Sequence, residues 1–95
     1  MAKSILQRGE WCALCSGHVW LEEHHVFGGF GKRRLSEKYG LKVLLCHRCH
    51  NEPPDGVHHN REKRLELQRR AQLAAMSHYG WTEEDFREIF GKSYL

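Results

Sequence analysis

The chain of 95 residues contains no apolar run that approaches the roughly 20 residues needed to cross a bilayer. Its first eight residues lack the long apolar core of a signal peptide. No repeat, linker or low-complexity segment is visible in the remainder. These absences predict a cytoplasmic protein with no membrane partner, and the length allows one domain over residues 1–95.

This small chain is rich in cysteine and histidine, with four cysteines and eight histidines. Because a domain of this size buries only a modest core, a covalent or metal staple would help it to fold. Four cysteines suit two disulfides or one metal ion, but disulfides seldom persist in the cytosol. The paired Cys-x-x-Cys spacing therefore predicts one structural zinc site, with the ligands Cys12, Cys15, Cys46 and Cys49.

Positive charge is concentrated in the middle of the chain, although the formal net charge is only +3. Five cations lie between Lys32 and Lys42 and five more between Arg61 and Arg70, whereas the last fifteen residues are net acidic. A basic surface suits a phosphate backbone, but such runs are also common on solvated faces. The candidate nucleic-acid contacts are Lys32, Arg33, Arg34, Arg61 and Arg64.

The apolar pattern predicts an α+β fold. Residues 1–10 form a short arm, and β-branched and aromatic residues indicate strands over Val19–Phe27 and Leu41–Leu45. Between the strands, residues 28–34 predict a flexible basic loop, followed by a helical turn that Ser36 caps and Gly40 ends.

Helices are predicted after the second strand. A short one over Cys46–Glu52 stops at Pro53-Pro54. Asn60 is the expected N-cap of a long helix that reaches His78 and that Gly80 ends, and Thr82 caps a last helix that Gly91 closes. The chain therefore divides into a cysteine-containing core over about residues 11–60 and a helical part over about residues 60–95.

Histidines near the cysteines suggest a second site. Neighbours on a strand point to opposite faces, so His24 and His25 suit a metal ligand beside a general base, or else two surface histidines. His50 follows Cys49 directly, where a zinc site would hold the backbone rigid, and a site with two or three imidazole ligands stays open to water and phosphate. The candidates for the remaining ligand are His47, His58 and His59, of which His58 is favoured because it lies beyond the Pro-Pro turn.

Three segments together resemble the HNH endonucleases of the ββα-metal nuclease superfamily. They are Cys12-x-x-Cys15, His24-His25-Val26 and Leu44-Leu45-Cys46-x-x-Cys49-His50, and the whole chain is similar to small HNH proteins of phages and prophages. The resemblance implies a zinc-stabilised ββα-metal core in which His24 and His50 bind a catalytic divalent metal and His25 is the general base.

The activity that this resemblance implies is hydrolysis of DNA phosphodiester bonds by a metal-dependent endonuclease or nickase. The catalytic metal would be Mg²⁺, Mn²⁺, Ni²⁺ or Zn²⁺. DNA would be bound mostly through its backbone, in the host cytoplasm if a phage encodes the protein, and packaging or recombination proteins would be partners.

One position departs from the family pattern. The family's middle asparagine, which orients the base histidine, lies about nine residues before the last histidine, and Leu41 occupies that position here. Two interpretations stay open. Another group, such as a backbone carbonyl, orients His25, or the chain is a zinc-stabilised nucleic-acid-binding module with weak or no catalytic activity. A purely structural zinc protein of a phage assembly is a third interpretation.

Overall fold

A computed structural model of the chain describes residues 3–95 as two strands and four helices. The strands pair antiparallel, with Leu21 opposite Cys46 and His25 opposite Lys42. The predicted α+β class with two C-terminal helices is therefore confirmed. In chain order the elements are β1 (Leu21–His25), α1 (Lys32–Tyr39), β2 (Lys42–Cys46), α2 (His47–Asn51), α3 (Arg61–Tyr79) and α4 (Glu83–Phe90).

Strand β1 is shorter than the predicted strand Val19–Phe27. Trp20 has a φ of 52°, outside the extended region, so the residues up to Trp20 do not join the ladder. Within β1 the alternation of side chains holds. Glu22 and His24 share one face of the strand, and Glu23 and His25 share the other.

Helix α1 includes the last three residues of the flexible loop predicted over residues 28–34, and it continues through the predicted helical turn to Gly40. It begins at Lys32, so the three consecutive cations lie on its first turn. Ser36, predicted as a cap, lies inside the helix and is fully buried. Its hydroxyl accepts a hydrogen bond from the amide of Phe27 at 3.0 Å and donates to the carbonyl of Phe27 at 2.8 Å. This pair of bonds holds α1 beside the end of β1.

The N-terminal arm runs along the outer edge of β2. The Ser4 hydroxyl donates to the carbonyl of Lys42 at 2.6 Å, and the Gln7 side-chain oxygen accepts from the amide of Leu44 at 2.7 Å. An edge strand otherwise leaves such backbone groups without protein partners. The predicted arm over residues 1–10 therefore has a structural role, its first two residues lying outside the described range.

The C-terminal helices join the core through aromatic side chains. Phe27, just after β1, lies 5.4 Å from Phe86 and 4.9 Å from Phe90 between ring centroids, and all three rings are buried. The predicted caps are confirmed, since the side chains of Asn60 and Thr82 accept backbone hydrogen bonds at the starts of α3 and α4. Over residues 3–95, no helix has the length and apolar content that a membrane span requires.

Replacing Gly40 with alanine should destabilise the protein more than the same change at Gly80. Both glycines end a helix with a φ near 70°, where an L side chain costs about 1–2 kcal/mol. A Cβ at Gly80 would meet open space, whereas at Gly40 it would collide with the carbonyl of Lys3 and approach Ile5 at 3.3 Å. We therefore expect Gly40→Ala to lose a further ~1–3 kcal/mol of unfolding free energy. Urea denaturation of both variants checks this, and equal losses would mean that the arm does not pack against Gly40.

Candidate functional site

The four cysteines form one cluster. Their sulfur atoms all lie within 4.8 Å of one another, and the cysteines are free of disulfides. The Sγ atoms of Cys15 and Cys46 are 3.7 Å apart, close to the edge of about 3.8 Å expected for a tetrahedron with Zn–S bonds of about 2.3 Å. This spacing is compatible with a metal site such as zinc.

A tight turn at Cys12 holds the first cysteine pair beside β2. Cys12 begins a tight turn in which its amide donates to the carbonyl of Gly17 at 2.7 Å, and the next amide, of Ala13, donates to the carbonyl of Leu44 on β2 at 2.8 Å. Burial opposes ionisation of the Cys12 thiol, but backbone amides, those of Cys46 and Cys15 foremost, outweigh it and lower its pKa to about 6. A thiolate so favoured is the form that binds a metal.

Three histidines form a second cluster, in which the ring nitrogens of His24, His50 and His58 lie within 4.8 Å of one another. The Nε2 atoms of His50 and His58 are 3.0 Å apart, and the ring centroids of His24 lie 5.1 and 5.3 Å from theirs. His24 comes from β1, His50 from α2 and His58 from the loop before α3. The structure thus brings together the three ligands that the sequence predicted.

Two observations indicate that these three histidines are suited to bind a metal ion. The Nε2 atom of His24 is buried and has no hydrogen-bond partner among residues 3–95, which is unusual for a buried polar atom. Burial, with smaller contributions from His50, His58 and His25, also lowers the pKa of His24 to about 3. His24 is therefore neutral at physiological pH, which is the protonation state required of a metal ligand.

Glu22 orients the second ligand. Its carboxylate accepts from Nδ1 of His50 at 2.7 Å and from the side-chain amide of Asn51 at 2.8 Å. Hydrogen bonds from His50 and His47 lower the pKa of Glu22, which keeps it ionised. With Nδ1 of His50 bonded to Glu22, its other ring nitrogen, Nε2, faces His58. Metal-bound histidines in proteins commonly have such a carboxylate partner.

His25 lies on the opposite face of β1 and contacts a different carboxylate. Its Nε2 is 3.0 Å from Glu37 on α1, and its Nδ1 is 3.4 Å from Nε of Arg33. Leu41, at the position where the resemblance led us to expect an asparagine, is fully buried in the apolar core and contributes no polar side chain. The side-chain amide of Asn51 donates to Glu22 and not to His25.

Two adjoining clefts expose this histidine-rich region. One, of about 330 Å³, is lined by Arg33 together with His25 and the three clustered histidines. The other, of about 370 Å³, adds Arg64 beside His58. Of the five predicted nucleic-acid contacts, Arg33 and Arg64 therefore reach the site. Lys32 lies 3.4 Å from the Tyr94 hydroxyl, and neither Arg34 nor Arg61, both exposed, lines these two clefts.

Glu22 and Glu37 were not predicted from the sequence. Glu22 had a local signal, since it lies two residues before His24 and so on the same face of the strand. Glu37 had none, because it belongs to a helix that was predicted as a single turn. Of the alternative third ligands, His47 lies 3.0 Å from Glu22, and both it and His59 lie outside the three-histidine cluster.

Comparison with protein-family models, curated proteins and solved structures gives no match for this chain.

Proposed function

We propose that this protein is a metal-dependent DNA endonuclease or nickase that hydrolyses phosphodiester bonds. The observation that carries the proposal is the convergence of His24, His50 and His58 beside His25 in a cleft that Arg33 also lines. Three imidazoles hold one ion and leave room for water and substrate oxygens. An adjacent imidazole outside that set supplies a base.

The four-cysteine cluster is assigned to a structural zinc ion. A site closed by four thiolates has no open position, so it contributes to folding and not to the reaction. The ion would join the turn before β1 to the end of β2 and the start of α2, because Cys12 and Cys15 come from the first and Cys46 and Cys49 from the other two. His50 follows Cys49 directly, so the zinc site also positions a ligand of the second site.

The second ion is assigned to His24, His50 and His58. Imidazole ligands favour Ni²⁺ or Zn²⁺, whereas Mg²⁺ prefers oxygen ligands, so we expect weaker support of activity by Mg²⁺. When bound, the ion would act as a Lewis acid on the scissile phosphate and stabilise the charge on the departing 3′ oxygen.

The protein's own residues supply the proton transfer and the grip on the substrate. His25 accepts the proton of the attacking water, the new oxygen–phosphorus bond forms, and the bond to the 3′ oxygen breaks. The guanidinium groups of Arg33 and Arg64, at the two clefts, donate to phosphate oxygens of the DNA backbone. Neither group reads a base in this role, so weak sequence preference is expected.

The test compares His58→Ala with His59→Ala on supercoiled plasmid. The two histidines are neighbours and both exposed, but only His58 belongs to the cluster. We expect the wild type and His59→Ala to nick plasmid with Ni²⁺, Mn²⁺ or Zn²⁺ and to stop when EDTA is added. His58→Ala should lose metal affinity, measured by calorimetry, by more than the about 10–100-fold that an outer hydrogen-bond partner contributes.

Two outcomes would contradict the proposal. Equal metal affinity of the two variants would remove His58 from the site. Retardation of DNA on a gel by the wild type, without nicking under any of these metals, would identify the protein as a zinc-stabilised nucleic-acid-binding module.

A further inference from the structure

We propose that Glu37 is the positioning residue for His25, taking the role that an asparagine has in the family that the sequence resembles. The inference rests on the proposed function for its catalytic part, and on hydrogen-bond geometry for the rest. The Glu37 carboxylate lies 3.0 Å from Nε2 of His25, although Glu37 comes twelve positions later in the chain and belongs to α1.

Both partners of the His25 ring require the same tautomer. Hydrogen bonds from Lys42 and His25 lower the pKa of Glu37 to about 2, so its carboxylate is ionised and can only accept. Nε2 of His25 must then carry the hydrogen. On the other side, the Nε–H group of Arg33 can only donate, so the Nδ1 atom of His25 must carry the lone pair. The basic nitrogen is thus Nδ1, on the side where Arg33 lines the cleft.

Glu37 is itself held in place. Its second oxygen accepts from the ammonium of Lys42 at 2.8 Å, and Lys42 lies directly opposite His25 in the β ladder. The side chain of Lys42 is only 10 % exposed, and its charge balances the carboxylate in this partly buried position. A metal ion bound by Glu23, His25 and Glu37 would have to displace that ammonium, which already pairs with both carboxylates, so these three residues are not assigned to another metal site.

The test measures the tautomer of His25 and plasmid nicking in Glu37→Ala and Glu37→Gln. Long-range proton–nitrogen NMR spectra of the whole zinc-loaded chain, assigned with His25→Ala, report which ring nitrogen carries the hydrogen. We expect one Nε2–H tautomer in the wild type and mixed tautomers in Glu37→Ala. Glu37→Gln should keep the wild-type pattern, because its amide oxygen still accepts. Glu23→Gln is the matched control, since that carboxylate lies 3.8 Å from the same nitrogen, and it should leave the tautomer unchanged.

Activity should follow the tautomer. The kcat of Glu37→Ala should fall by about 100-fold, the typical effect of a misplaced catalytic group, while KM for plasmid stays unchanged. Glu37→Gln should restore most of the loss. A pure Nε2–H signal in Glu37→Ala, or an equal kcat loss in both variants, would overturn the proposal. A wild type that fails to nick while Glu37→Ala mixes its tautomers would contradict the nuclease assignment and still support Glu37 as the residue that holds His25.

Discussion

Replacing His25 with alanine should lower the rate of plasmid nicking by about 10²–10⁴-fold, the usual contribution of a positioned general base. The metal affinity should stay at the wild-type value, because the Nε2 atom of His25 bonds Glu37 and the imidazole lies outside the three-histidine cluster. Conversion of supercoiled to open-circular DNA, followed on gels, gives the rate, and calorimetry gives the affinity.

A matched variant separates this effect from the general loss of a histidine. His78 lies exposed on the last turn of α3, and His78→Ala should nick at the wild-type rate. The assignment of His25 as the base would be wrong if His25→Ala nicked plasmid at the wild-type rate. If His25→Ala no longer bound the metal ion, the assignment of His24 as a ligand and His25 as a base would be wrong.

Replacing Cys49 with alanine should abolish the cooperative fold at ambient temperature. Cys49 is buried with 4 % exposure, and it lies on α2 directly before His50. A structural zinc site contributes about 10–16 kcal/mol of binding free energy, which is as large as the whole net stability of about 5–15 kcal/mol typical of folded proteins. We therefore expect loss of the near-ultraviolet circular dichroism signal and of the thermal transition.

The control for this variant is His47→Ala in the same turn. His47 lies between Cys46 and Cys49 but is half-exposed and outside the sulfur cluster, so this variant should retain the wild-type zinc content and melt cooperatively. Elemental analysis of the purified proteins gives the zinc content. A Cys49→Ala protein that melted cooperatively without zinc would show that the cysteines do not hold the fold.

These two predictions address sites that share a short segment. Cys49 and His50 are consecutive residues of α2, and their side chains belong to the sulfur and histidine clusters respectively. Loss of the sulfur site would therefore displace a ligand of the second site as well. Activity measured in cysteine variants consequently reports folding, whereas His25→Ala and His58→Ala report chemistry.

Local patterns predicted several parts of the fold correctly. The caps Asn60 and Thr82 and the terminating glycines of α3 and α4 act within one turn of the chain, so the neighbouring residues suffice to identify them. Packing is less local. Gln72 on α3 is fully buried and donates to the Ser93 hydroxyl at 2.9 Å, while the adjacent Leu73 is 54 % exposed. Hydrophobicity alone would have predicted an exposed Gln72 and a buried Leu73.

The sequence by itself determined the α+β class and predicted that the four cysteines lie together. Thiol groups at Cys-x-x-Cys spacing suit one metal ion, and the histidine positions suggested a second site, because these residue types have known metal preferences. The tertiary structure decided which histidine completes the second cluster, since His58 reaches it only after the chain reverses beyond Pro54. It also placed Glu37 at His25 and buried Leu41, at the position where the resemblance alone led us to expect an asparagine. Such contacts join elements distant in the chain, and the short-range periodicity of a sequence carries no record of them.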